Sequence, residues 1–126
     1  LVRKVCTPEA MSDHGISSAD LLTPTAIYVD DVLSIIDQYS VNGIAHITGG
    51  GLVENIERIL TQGVALDIDF GAIKTPSIFS KIQQAGHIAD DEMWRVFNMG
   101  VGMVVITSDD LSSHGTAYPI GRIINA

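Results

Sequence analysis

Twice in its first half this chain sets a short run of strand composition before a run with helical periodicity, an order that favours layered architectures of strands and helices. "AIYV" at 26–29 is β-branched and aromatic. In "DDVLSIIDQYS" Val32, Leu33, Ile35, Ile36 and Tyr39 then recur at helical spacing behind Asp30 and Asp31, whose charges suit a helix N-terminus. After a turn at "VNG" the order repeats: "IAHIT" has strand composition, and "ENIERIL" sets Ile56, Ile59 and Leu60 on one helical face. Strands alternating with helices predict crossover connections and a sheet that is at least partly parallel. The expected fold is α/β (α+β), a mixed sheet flanked by helices.

The second half continues the alternation. "VALDIDF" has period two, as a strand with one buried face does, which puts Asp67 and Asp69 together on the opposite face. "TPSIFSKIQQAG" predicts a helix with Thr75 at the N-cap, Pro76 at the first helical position, Ile78, Phe79 and Ile82 buried, and Gly86 as its C-terminal cap. "ADDEMWRVFN" predicts a short helix whose acids match the dipole, and "GVGMVVIT" and "YPIGRII" predict strands. Before all of these, residues 7–25 carry two prolines, a glycine and many Ser, Thr and Asp, which reads as a linker. Residues 1–19 are therefore expected to be the end of an upstream helix plus linker, and residues 20–126 an α/β domain. "LVRKV" resembles the last turns of a helix, so the chain is expected to be part of something longer.

Charge and composition narrow the function classes. A net charge of −8, with seven scattered basic residues, repels phosphate backbones and argues against nucleic acid. No apolar stretch approaches the roughly 18 to 20 residues that cross a bilayer, so no membrane partner is expected and the protein is read as cytoplasmic. Cys6 stands alone, which rules out an internal disulfide and a thiolate cluster.

Gly49, Gly50 and Gly51 lie between the second strand and its helix. Glycines there suit either a tight strand-to-helix turn or a cradle in which backbone N–H groups approach an anion at a helix start. The pattern is neither G-x-G-x-x-G nor a P-loop. His46 and Thr48, two apart on a strand, point to one face beside the glycines, unless His46 is a satisfied core histidine. Asn98, Gly100 and Gly102 form a second cluster, where Asn98 could equally cap a helix. The four histidines are dispersed and form no H-E-x-x-H, so no dedicated metal site is predicted. Asp67 with Asp69 suits a hard cation or, more simply, a solvated face.

Taken in order, "LLTPTAIYV", "AHITGGGLVENIERIL" and "VFNMGVGM" resemble the C-terminal domain of the phosphoribosylformylglycinamidine cyclo-ligase (aminoimidazole ribonucleotide synthetase) family. The resemblance runs from about Asp20 to Ile106. It implies a domain of a purine-biosynthetic ligase that uses ATP to close the imidazole ring of formylglycinamidine ribonucleotide. It also implies a cleft shared with an N-terminal domain that supplies most ATP and Mg2+ contacts and a homodimer interface, and inactivity of this domain alone. Carried over residue by residue, it makes His46 a catalytic contact. Thr48, Gly49, Gly50, Gly51, Glu54, Asn55, Asn98, Gly100 and Gly102 become ribonucleotide-binding or phosphate-binding positions. The tail from Val105 is too short for the helix that family members carry before the last strand. Related ATP enzymes (formylglycinamidine ribonucleotide synthetase, thiamine-monophosphate kinase, selenophosphate synthetase) and a non-catalytic nucleotide-binding module are the alternatives.

Overall fold

Antiparallel pairing organises the strands. In the computed structural model, which describes residues 1–126, β1 (Val41–His46) pairs with β3 (Met103–Thr107) and β2 (Val64–Ile68) with β4 (Gly121–Asn125). The α/β class holds, but the partly parallel sheet does not: the two pairs form separate two-stranded ribbons. The reason is interleaving. The helix after β1 leads into a strand of the other ribbon, so no crossover within one sheet forms and the parallel rule has nothing to act on. "VNG" is also not a turn; it lies in β1, where a register irregularity between Val41 and Gly43 lets exposed Asn42 bulge out of the ladder.

Three short helices, α1 (Val2–Val5), α2 (Pro8–Asp13) and α3 (Ser18–Leu21), occupy the stretch read as helix end and linker. α1 packs on α6 (Ser77–Gly86), Lys81 Nζ donates to the Gly15 carbonyl at 2.7 Å, and Ile16 is buried. α3 carries a capping box: Asp20 N–H donates to Ser17 Oγ at 3.1 Å, while the Ser17 N–H and hydroxyl donate to the Asp20 carboxylate at 3.0 and 2.7 Å. The Ser17 hydroxyl first, then its N–H, with Lys81 assisting, hold the Asp20 carboxyl below its ordinary 3.8. A depressed carboxyl stabilises the box above the unfolded value, and that support is lost as pH falls through the folded one. NMR titration is expected to place Asp20 below 3.8, and Ser17→Ala to move it back up.

"AIYV" forms no strand. No backbone hydrogen bond joins residues 24–27 to another segment, and Val29 already begins α4 (Val29–Gln38). Strand composition without a free edge beside it gives an extended but unpaired segment. α5 (Gly51–Glu57) buries Leu52 and Ile56 but ends before Ile59, which is exposed. α6 is shifted by a residue from expectation: Pro76 is its N-cap, Gly86 its last residue, and left-handed His87 (φ 47°) its C-cap. Gly86 is needed for packing instead, because a Cβ there would meet the Val5 side chain at 2.7 Å. Of the three residues expected inside, Ile82 is buried, while Ile78 and Phe79 are half-buried. α7 (Asp90–Val96) follows as expected, and the β3–β4 connection forms turns without a helix.

The core sits where α5 lies against β1 and the start of β3: Ala45, Ile47, Leu52, Ile56, Ile73 and Val101 form its centre. Asp67 and Asp69 both have structural partners. Arg122 Nε donates to Asp67 Oδ2 across the β2–β4 ribbon at 2.9 Å, and Asp69 Oδ1 accepts the Gly71 N–H at 3.0 Å, opening a 3-10 turn at Phe70–Ala72.

Candidate functional site

The structure brings the two predicted clusters to one end of the β1–β3 ribbon. His46 is in register with Met103, and beyond them the Ile47 N–H donates to the Gly102 carbonyl at 2.9 Å, so the loop at 48–51 and the loop at 98–102 leave the ribbon side by side. His46 and Thr48 are exposed, and the His46 side chain makes no hydrogen bond within the chain, so it is not a satisfied core histidine.

Asn55 shapes the first loop. Its side chain, 7% exposed, points back from α5 and its Nδ2 donates to the carbonyls of Gly51 at 2.6 Å and of Thr48 and Gly49 at 3.3 Å, while Oδ1 accepts from Thr48 Oγ1 at 3.3 Å. With these carbonyls held inward, the N–H groups of Thr48, Gly49 and Gly50 have no acceptor within the chain. Successive free N–H groups on such a loop can receive the oxygens of an anion.

The three glycines differ in what they do. Gly49 has open space where a Cβ would be, whereas Gly51 combines φ +73° with a backbone so close to α7 that a Cβ would overlap the Trp94 carbonyl oxygen. The tight-turn reading therefore describes Gly51, while Gly49 borders open space. Gly50 sits at φ +98°, next to the Glu54 carboxylate.

In the second loop, Asn98 Oδ1 accepts the Gly100 N–H at 3.0 Å and the Asn98 carbonyl accepts the Val101 N–H at 2.9 Å. Asn98 thus braces its own loop, and the C-cap of α7 is Phe97. Met99 (φ 51°) and Gly100 (φ 97°) both take left-handed conformations there. Gly102 is buried under Tyr28: a Cβ would lie 2.6 Å from the ring carbon bearing the hydroxyl.

Glu54 lines a groove of about 410 Å³ between α5 and α7, together with Gly50, Phe70 and Trp94. The two rings are tilted with centroids 4.8 Å apart. Arg58 pairs with Glu54, and Arg95 binds both carboxylate oxygens of Glu92. No three His, Cys, Asp or Glu side chains converge where a metal could sit.

The sequence pattern described as AIR synthase related protein, C-terminal domain, matches residues 8–126. The chain belongs to this family. Proteins named phosphoribosylformylglycinamidine cyclo-ligase from Burkholderia cenocepacia, Burkholderia mallei and Burkholderia pseudomallei are each 50% identical to it over 113 residues, covering 86% of the chain and 32% of the relative. The chain spans about a third of the length of these curated relatives. Within this AIR synthase related domain, Tyr28, Trp94 and Lys74 complete the surroundings of the two loops, and sequence spacing points to none of them. Tyr28 acts on Gly102, distant in sequence, and Trp94 acts through a backbone carbonyl, so no side-chain pattern could disclose either. Lys74 stands over the Tyr118 ring at 4.6 Å, its carbonyl 3.3 Å from where a Cβ on Gly100 would lie.

Proposed function

We propose that this chain is the C-terminal domain of an ATP-dependent cyclo-ligase that converts formylglycinamidine ribonucleotide to aminoimidazole ribonucleotide in purine biosynthesis. The observation that carries this reading is the 50% identity, across 86% of the chain, to proteins named for that activity. In the proposal the loops at 46–51 and 98–102 form the ribonucleotide side of a cleft. The free N–H groups at 48–50 receive phosphate or developing negative charge, and His46 reaches the reacting end as a polar catalytic contact.

The other side of the cleft belongs to a further domain, which supplies most contacts to ATP and Mg2+ and the homodimer interface. That assignment is supported by the span of only 32% of the relatives, which leaves about two thirds of their length outside this chain. ATP, when bound there, activates the amide oxygen by phosphoryl transfer. This chain's own part is to bind the ribonucleotide, hold it by backbone donors and exclude water from one side. No helix is long and apolar enough to cross a membrane, and a cytoplasmic enzyme is proposed.

The test is a chimera in which this chain replaces the matching C-terminal part of the Burkholderia cenocepacia cyclo-ligase. The chimera is expected to close the ring with ATP, and His46→Ala within it to lower kcat by about 100-fold with the fold intact by circular dichroism. The isolated chain is expected to show no turnover. A folded chimera without activity, or turnover by the isolated chain, would overturn the proposal.

A further inference from the structure

Exposed apolar side chains crowd one region of this molecule. The four most exposed large ones, Ile27 (84%), Leu22 (78%), Val29 (60%) and Leu33 (57%), lie between residues 22 and 33, and Ile36 (47%) extends the set. On α4, Val29, Leu33 and Ile36 occupy i, i+4 and i+7, which is one stripe of a helix, whereas buried Ile35 faces the core. α4 therefore carries two apolar faces, and only one has a partner. The turn-forming β3–β4 connection reaches just past the end of the helix, where Tyr39 Oη and Ser113 Oγ are 3.0 Å apart, and leaves the outer stripe uncovered.

Charge selects what can cover it. By helical spacing Asp30 and Asp37 flank the outer side of the stripe, and no Lys or Arg occurs between residues 5 and 57. A second copy brings the same acids and no base in that segment, and an anionic lipid surface repels them. A ridge of apolar residues at helical spacing is matched by another helix.

We infer that the outer face of α4, together with Ile27, docks an amphipathic helix of another polypeptide segment, whose apolar stripe is bordered by Lys or Arg. The acids at the edge set register and orientation, and the apolar stripe supplies the affinity. Ile27 and Val29 flank Tyr28, which lies over Gly102, so this surface borders the proposed ribonucleotide cleft, but it does not rest on that function.

The experiment measures fluorescence anisotropy of a labelled synthetic amphipathic helix, Leu along one stripe and Lys beside it, titrated with the whole chain. A twin peptide with Glu in place of Lys is the comparison. The Lys peptide is expected to bind roughly tenfold or more tightly than the Glu peptide, and Leu33→Asp and Ile36→Asp each to weaken it by a similar factor. Both residues are exposed, so circular dichroism of these variants is expected to match the parent. Asp30→Lys combined with Asp37→Lys should invert the preference between peptides. Equal binding of the two peptides, or insensitivity to both Asp variants, would overturn the inference. So would a Leu33-dependent dimer of the chain alone in sedimentation, or Leu33-dependent binding to phosphatidylcholine vesicles.

Discussion

Gly51→Ala is expected to cost about 3–5 kcal/mol of folding stability, while Gly49→Ala changes it by no more than about 0.5 kcal/mol. Two costs add at Gly51. A side chain at φ +73° meets the left-handed penalty of about 1–2 kcal/mol, and the new Cβ overlaps a carbonyl oxygen of the α7 backbone. Backbone cannot swing aside as a flexible side chain can, so α7 must move away from α5 and loosen the contacts around Leu52, which is fully buried. At Gly49 a Cβ meets nothing within 4 Å. Gly50→Ala falls between them, because its φ of +98° is strained but its neighbour is the movable Glu54 carboxylate. Urea unfolding of the three variants measures this ranking, and equal costs at all three would contradict it. In the proposed cleft, Gly49 is then the one glycine whose replacement can block a ligand without disturbing the fold.

That division could not be seen in "TGGG" itself. Local signals were legible where they are local: the period-two run that became β2, the acids that open α7, the helical spacing of α4. Pairing is not local. "AIYV" has the same composition as a paired strand, yet it joins no ladder, and its Tyr28 lies over Gly102 instead. Likewise the antiparallel ribbons follow from which strand returns beside which, information spread over the whole chain. The two motifs singled out by their glycines do converge at one end of the β1–β3 ribbon. What each glycine does depends on backbone that arrives from α4 or α7, and spacing within a motif carries no trace of it.

Asn55→Asp tests whether the first loop is held by the domain or waits for a ligand. Ionised aspartate is nearly the same shape as asparagine but only accepts hydrogen bonds, so at this position it would face the carbonyls of Thr48, Gly49 and Gly51 with no hydrogen to offer. Asn55→Leu, which merely leaves those carbonyls without a partner, is expected to cost about 1–3 kcal/mol, and Asn55→Asp more than that at neutral pH. Burial and the facing oxygens favour the protonated acid and raise its folded pKa above the ordinary carboxylate value. The variant is therefore least destabilised at pH below the unfolded value, and loses stability as pH rises through the folded one. Urea midpoints followed from about pH 4 to pH 8 should fall steadily for Asn55→Asp, whereas Asn55→Leu should track the parent. If Asn55 served the ribonucleotide alone, both variants of the free chain would be as stable as the parent and only ring closure in the chimera would change. The inward aim of its Nδ2 toward three loop carbonyls favours the first outcome, in which Asn55 acts on a ligand only by keeping the N–H groups of residues 48–50 turned outward.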